Sequence, residues 1–408
     1  MNADKALRDA PRKRHVAILD ESLPVPINRR AWLEALSLVE AGYEVTVISP
    51  KGGPGMASIR ETRDGVRILR YPQRAASGLA GYLVEYVPSM IFTTAWLLWL
   101  RTRRRIDVLQ GCNPPDLFFM LGFVGKVMGA SYVYDQQDAN PELSSAKWGH
   151  RRVGRLLGWL TAKLERASYR TANLVLVPND SYAAIARERG KVDESRIAVV
   201  RNAPPAGHFH TLALGHSPKG DSPFRFGYLG VMGSQDGIEI LIEATAALRK
   251  IRPDLQFVVD LVGDGEARPR LEQLAAERGV ADLLVFHGYR QADYFVPLLA
   301  ESHICVCPDP PTRFNNVSTM TKVVEYIAMG RPAILFDLHE TKAVAGAAGL
   351  VVDEPTAEGL ARTMALVADD RALLGALTAA AANRLNDLNY SWESSSHSLV
   401  EAYSRLAG

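Results

Sequence analysis

The chain has 408 residues, enough for two or three domains of about 100–150 residues each. With 47% apolar and 23% charged residues, it is excluded from the disordered, collagen-like and coiled-coil classes. Three cysteines cannot build a disulfide framework, and with no charged-then-apolar leader the expected address is cytoplasmic. The net charge of +2 is unevenly divided: residues 1–210 carry 30 Lys and Arg against 20 Asp and Glu, and the remainder is acidic. Such a split suits an anionic partner of the first half, or simply a solvated basic face.

In chain order, residues 1–13 read as a polar arm. His15–Leu19 has the length of a strand, and Arg29–Ala41 repeats apolar residues at helical spacing up to Gly42. Val45–Ser49 is β-branched, which completes a βαβ unit and implies a parallel sheet. The rhythm continues through Val66–Tyr71, a long helix, Val108–Gln110, a helix over Leu117–Met128, Tyr132–Tyr134, another helix and Leu174–Val177. Residues 203–223 are rich in Pro and Gly and show no period, so they mark a boundary. The alternation then restarts with Arg225–Leu229 and Ile238–Ile251. It runs on through Gln256–Val262, Ala267–Arg278, Leu284–His287, Tyr294–Ala300, Ile304–Cys307, Thr321–Met329 and Ala333–Phe336. Residues from Ala357 onward read as helical and as packing back across both halves. The fold expected is α/β: two Rossmann-like, doubly wound parallel-sheet domains facing across a cleft. Their bounds are 14–205 and 222–385, with a closing helix over 386–408.

From Val87 to Leu100 no charge occurs, but fourteen residues are too few to span a bilayer. Arg101, Arg103, Arg104 and Arg105 follow at once. The segment is either a buried helix with cations at its C-terminus or a helix lying in a membrane interface. A second basic stretch, Lys147 to Arg170, carries Trp148 and Trp159 and adds to the interfacial reading.

Gly230-Val-Met-Gly233-Ser-Gln-Asp-Gly237 follows a strand and opens a helix, where glycines and outward amides suit a phosphate. It is not a Walker loop. Gly263-Asp-Gly265 ends the next strand in the same way. In the stretch Asn315 to Pro332, Ser318 or Thr319 is placed to cap the following helix. Lys322 and Glu325 share one of its faces: a carboxylate suits the two hydroxyls of a ribose and a lysine suits phosphate, though an ordinary exposed ion pair has the same spacing. Cys305 and Cys307 alternate on an apolar strand as buried thiols, and His208, His210 and His216 lack partners at metal-ligand spacing. The basic half lacks interleaved aromatics, so no nucleic-acid partner is expected.

The block STMTKVVEYIAMGRPAILFDLHET resembles the nucleotide-sugar site of family 4 retaining glycosyltransferases of the GT-B type. The variant concerned carries the signature Asn-x-x-Ser-Thr-Met-x-Lys-x-x-Glu-Tyr-x-Ala-x-Gly. Further matches occur in order: Asn113-Pro-Pro-Asp116, Tyr134-Asp-Gln-Gln-Asp138, Asn179-Asp-Ser-Tyr182, Val200-Arg-Asn202, the Gly230–Gly237 loop, Gly263-Asp-Gly265 and Phe286-His-Gly288. The resemblance implies that Glu325 holds the donor ribose, with Thr319, Met320 and Thr321 offering backbone amides to the diphosphate beside Lys322. It implies donor-binding roles for Gly230, Met232, Gly233, Gly263, Gly265, His287, Asn316 and Ser318, and places Gln137 and Asp138 at the transferred sugar. Three departures stand out: Val317 replaces a glutamate common in the family at large, Val231 or Met232 and Asp236 stand where its phosphate loop usually has arginine and lysine, leaving Lys322 and Arg331 as nearby cations, and Gln137 replaces a histidine. An amide can hydrogen-bond a sugar hydroxyl but cannot carry a proton.

The function implied is transfer of a sugar from a nucleotide-diphosphate donor to an acceptor hydroxyl with retention, an EC 2.4 activity needing no metal or other cofactor. The acceptor expected is a glycan or a lipid-linked glycan of an envelope or capsule, reached at the inner face of an anionic membrane. Two alternatives remain at this level: a sugar-nucleotide epimerase on the same scaffold, and a catalytically idle subunit that binds a partner.

Overall fold

In a computed structural model, residues 12–53, 56–73, 78–148, 152–205, 207–220, 223–233, 235–384 and 390–407 are described. The chain divides into two compact units. One comprises Met1–Ser145, His150–Val200 and Ser396–Gly408; the other comprises Ala146–Gly149 and Arg201–Ser395.

The first unit is built on an eight-stranded sheet of order β3-β4-β2-β1-β5-β6-β7-β8. The strands are β1 (His15–Leu19), β2 (Glu44–Pro50), β3 (Arg60–Arg63), β4 (Val66–Tyr71), β5 (Val108–Cys112), β6 (Ser131–Asp135), β7 (Leu174–Val177) and β8 (Ile197–Val199). All pairs are parallel except β3 with β4. Strands β1, β5 and β7 are buried along their whole length, as expected for parallel strands covered on both faces. Helix α1 (Arg29–Glu40) starts at Asn28, whose side chain accepts from the Ala31 amide, and it stops before Gly42 at φ +91°. The other helices of this unit are α2 (Gly78–Arg101), α3 (Phe119–Val127), α4 (Asn140–Trp148), α5 (Arg152–Thr171) and α6 (Asp180–Glu188). No helix among the described residues is long and apolar enough to cross a membrane.

The second unit begins with α7 (His208–Ala213) and has a six-stranded, all-parallel sheet of order β11-β10-β9-β12-β13-β14. Its strands are β9 (Phe224–Leu229), β10 (Phe257–Val262), β11 (Leu284–Gly288), β12 (Ile304–Cys307), β13 (Ala333–Leu335) and β14 (Gly349–Val351). Interleaved with them are α8 (Ile238–Ile251), α9 (Arg268–Glu277), α10 (Ala292–Ala300), α11 (Arg313–Val317), α12 (Thr321–Ala328) and α13 (His339–Ala345). Three helices close the chain: α14 (Ala357–Asp369), α15 (Arg371–Arg384) and α16 (Trp392–Ser404), the last belonging from Ser396 onward to the first unit. Both sheets run outward in both directions from their first strand, so the connection reverses beside β1 in one and beside β9 in the other. That switch point, at the carboxyl ends of the strands, is where α/β sheets leave room for ligands. The two parallel-sheet α/β domains expected from the alternating pattern are therefore present.

Three readings of the sequence are corrected. Residues 208–213 are not loop but helix α7, and Phe209 is buried edge-on against Phe295 at 5.7 Å between ring centroids. A six-residue helix is too short to display a period. The edge strand β3, with sequence Arg-Glu-Thr-Arg, is mostly exposed and has no apolar alternation to announce it. Ser318 and Thr319 do not cap α12: its N-cap is Met320, without a side-chain cap bond. Ser318 instead ends the extra short helix α11, its hydroxyl donating to the Phe314 carbonyl at 2.9 Å. Ser234 of the glycine loop, and 206, 221 and 222 of the boundary, lie outside the described residues, as do 386–389 and 408 of the closing segment.

Candidate active site

In the second unit the switch point is shaped by backbone. Gly230, at the end of β9, donates its amide to the Val262 carbonyl at 3.0 Å, and Gly263 donates to Gly288 at 3.0 Å. Gly263 has φ +133°, and a Cβ there would sit 1.8 Å from the Gly230 carbonyl oxygen. A Cβ on Gly265 would lie 2.5 Å from the Met232 carbonyl oxygen, and the Met232 amide donates to the Asp264 carbonyl at 3.0 Å. The two glycine loops are thus pressed together so closely that side chains cannot intervene. Gly233 donates its amide to Asp236 Oδ2 at 3.0 Å.

Lys322 enters this region from α12. It is only 8% exposed, and its Nζ donates to Asp309 Oδ1 at 3.0 Å and Oδ2 at 2.8 Å, with Asp236 Oδ1 3.7 Å away. The ammonium also lies 4.9 Å from the centre of the Tyr228 ring and donates to its hydroxyl at 3.4 Å. Burial alone would lower the lysine pKa, but Asp309 foremost among its neighbours holds it well above the ordinary value. Asp236 is raised, first by burial, in spite of Lys322. Cys307 Sγ donates to Asp309 Oδ2 at 3.0 Å, and Cys305 and Cys307 are both buried free thiols.

The pose of α12 is fixed by Tyr326. Its hydroxyl accepts from the Leu229 amide at 2.9 Å and donates to the Val306 carbonyl at 3.2 Å, bonding the helix to the ends of β9 and β12. Glu325, one turn beyond Lys322, is 8% exposed. Thr319 is half-buried, Met320 is buried and Thr321 is exposed at the helix start. Asn315 is buried and donates from Nδ2 to the Pro310 carbonyl at 2.9 Å and the Gln235 carbonyl at 3.4 Å, while Asn316 Oδ1 accepts from the His339 amide at 3.0 Å. His287, at the end of β11, shares a hydrogen bond of 2.9 Å with Asp260 Oδ1 and one of 3.1 Å with the Tyr294 hydroxyl. Asp260 in turn accepts from Arg225 at 2.6 Å.

In the first unit the corresponding strand ends hold side chains instead. Gln137 donates from Nε2 to Asp135 Oδ2 at 2.7 Å, and its amide donates to Asn113 Oδ1 at 2.5 Å. The Asp138 amide donates to the same oxygen at 3.0 Å. Asp135, fully buried, accepts from Arg30 NH2 at 2.7 Å, and Arg30 also lies 3.1 Å from Glu34 Oε1 and donates to the Val200 carbonyl at 2.6 Å. Burial and the neighbouring Asp135 push Glu34 above the usual carboxylate range. Glu34, Cys112 and Asp135 bring three possible ligand atoms within 4.8 Å of one another, the one such grouping among the described residues. Arg30 already supplies a cation there.

Two family models match the chain in sequence: "Glycosyl transferase 4-like domain" over residues 27–203 and "Glycosyl transferases group 1" over residues 223–370. The chain belongs to the family 4-type glycosyltransferases. It is 30% identical over 127 residues to an alpha-D-kanosaminyltransferase of Streptomyces kanamyceticus, covering 31% of each chain. It is 26% identical over 254 residues to a D-inositol 3-phosphate glycosyltransferase of Corynebacterium urealyticum, covering 58% of this chain and 57% of that one. The matches thus span from about a third to somewhat over half of these relatives. Among solved structures, the fold is similar to that of a sucrose-phosphate synthase from Thermosynechococcus elongatus. The TM-score is 0.75 at 17% identity, over 97% of this chain and 99% of that one. HepE of Anabaena, in complex with UDP-glucose, superposes with a TM-score of 0.65 at 15% identity over 96% and 99%. At such identities the likeness concerns the two-domain GT-B fold.

Within this family frame, the structure brings Gly230, Met232, Gly233, Gly263, Gly265 and Lys322 together. His287 stands at the next strand end in a chain of its own with Asp260 and Arg225. The sequence reading missed Asp309 and Tyr228 around Lys322, did not place Asp236 of the glycine loop beside that lysine, and missed Arg30 beneath Asp135. The signal for Asp309 was its position two residues beyond Cys307, at the carboxyl end of the strand across the switch point.

Proposed function

We propose that this protein is a retaining glycosyltransferase that takes a sugar from a nucleotide-diphosphate donor and passes it to an acceptor hydroxyl of a glycan or lipid-linked glycan. The observation that carries the reading is the buried Lys322, set among two glycine loops at the switch point of a sheet whose residues match the group 1 model. Nucleotide donors are further supported by the HepE structures, which hold UDP and UDP-glucose.

In this reading the diphosphate is held by backbone amides at the start of α12 and by Lys322, close to the glycine loop. Glu325 holds the ribose, His287 stands by the base, and Asn316, Ser318, Thr319, Met320 and Thr321 complete the donor contacts. Gln137 and Asp138 contact the transferred sugar. The reaction proceeds on the front face: the bond from the anomeric carbon to the diphosphate oxygen breaks, and that carbon bonds to the acceptor oxygen on the same side. The acceptor proton passes to the departing diphosphate. No enzyme nucleophile is needed, so the protein's contribution is positioning and stabilisation of departing negative charge. A fixed ammonium in a low-dielectric site supplies that stabilisation without a metal ion.

The test is release of nucleoside diphosphate from a panel of nucleotide sugars, with and without a lipid extract, followed by Glu325→Ala. Release that depends on extract supports transfer. Isomer formation without acceptor would indicate an epimerase, and no nucleotide binding at all a partner-binding subunit. Glu325→Ala should lose donor affinity while unfolding as before; unchanged affinity for every donor removes the ribose assignment.

A further inference from the structure

Helices α2, α3 and α5 of the first unit leave a large apolar surface in water. On α2, Val84, Val87, Ile91 and Leu98 are all more than half exposed; on α3 Phe123 is 62% and Val127 74% exposed; on α5, Leu156 and Trp159 are likewise exposed. Helix α2 adjoins α3, and α3 adjoins the C-terminal end of α5. Leu97, Leu98 and Arg101 line one groove with Leu121, Val124 and Met128 at the end of α3. Lys126 of α3 donates to the carbonyl of Thr171, the last residue of α5, at 2.9 Å. Isolated exposed apolar residues are ordinary, but this many on adjoining helices mark a docking site.

Charge on the same helices has one sign. Exposed cations include Arg101 at the end of α2, Arg103 just after it, Lys126 on α3, and Arg155, Lys163 and Arg170 on α5. Among the described residues, these three helices expose no carboxylate. Glu85 is half-buried and accepts from Gln73, and Glu165 is buried against Arg189. Two of the cations lie over indole rings: Arg103 is 4.1 Å from the Trp99 ring centre and Lys163 is 5.5 Å from that of Trp159. Tryptophan beside Arg or Lys at the rim of an apolar face is the composition of a water–lipid boundary. A second copy packed symmetrically on this face would set these cations against one another.

We propose that the α2–α3–α5 face docks onto an anionic lipid bilayer, its apolar side chains entering the interface and its cations meeting lipid phosphates. The surface does not depend on the transfer reading, because it would bind vesicles whether or not the protein turns over a nucleotide sugar.

The experiment is co-sedimentation of the full chain with vesicles of phosphatidylcholine alone, and with about 30% phosphatidylglycerol added, at low and high salt. Binding is expected to the anionic vesicles and to weaken as salt is raised. Joint Phe123→Gln and Val127→Gln should lower it about tenfold with an unchanged melting temperature, since both positions face water. Joint Arg155→Glu and Lys163→Glu should abolish the preference for anionic lipid. The proposal is overturned by absence of binding to either vesicle, by equal binding to both, or by a dimer in solution that the Phe123→Gln, Val127→Gln pair dissociates.

Discussion

The switch points of the two sheets share a topology and differ in material. Beside β1, the carboxyl strand ends are filled by side chains that satisfy one another: Asp135 with Arg30, Arg30 with Glu34, Glu34 with Gln110, and Gln137 with Asp135. Beside β9, glycines bring two loops into backbone contact, and a single lysine faces two aspartates. One arrangement is rigid because its charges are closed on each other. The other pairs its lysine with Asp309 and lines the strand ends with glycines, so the chain itself brings little bulk where an incoming anionic group would approach.

The largest expected effect breaks the first arrangement. Arg30→Met leaves Asp135 buried without its counter-charge, which should cost about 3–5 kcal/mol, read from chemical denaturation. Adding Asp135→Asn should return a good part of that loss; no recovery would mean that Arg30 acts through its bond to the Val200 carbonyl.

In the second arrangement the matching change is to the backbone. Gly263→Ala forces a Cβ against the Gly230 carbonyl at a φ that L-residues rarely adopt, and roughly 3 kcal/mol of destabilisation is expected. Any melting shift given by UDP should disappear in this variant, even under conditions where it stays folded. Lys322→Met sharpens the contrast further. Alone it strands Asp309 and should cost roughly 3 kcal/mol. Combined with Asp309→Asn it should recover stability without recovering nucleotide binding, separating the structural part of the ion pair from its ligand part.

Most of this scaffold was readable from periodicity. Buried parallel strands such as β7, and β1 after His15, are continuous apolar runs, β2 is β-branched, and the glycines after β9 and β10 mark turns that only glycine can make. Elements whose local sequence carries no period were not readable. β3 is polar because it is an edge, α7 and α11 are one turn or so of helix, and β8 and β14 are three residues each. In the candidate site, the Lys322–Glu325 spacing marked the helix, but its partners lie far along the chain. Asp309 is 13 residues from Lys322 and Tyr228 is 94, and Arg30 is 105 from Asp135. Such pairings follow from sheet order, which no short window of sequence contains.

The smallest effect is a slope with pH, and it tests whether the first unit's closed network carries a cost. Beside the network, Glu21 is raised from 4.5 to about 8, first by burial and then by Glu85, and Asp20 is raised from 3.8 to about 7, first by burial. Unfolded, both would lose their protons near the ordinary values, whereas the fold retains them until the higher ones. Their contribution is therefore full below about pH 4 and is lost progressively as pH rises toward about 8. Glu21→Gln keeps an oxygen to accept from Gln73 and Ser89 and removes the charge that must otherwise form in a buried place. Thermal melts should show variant and wild type alike near about pH 4 and the variant higher by about 2 °C or more near about pH 8.5. A constant gap between them would mean that Glu21 reaches water in the folded protein. The side chains closing this strand end would then be no drier than the glycine loops of the second unit.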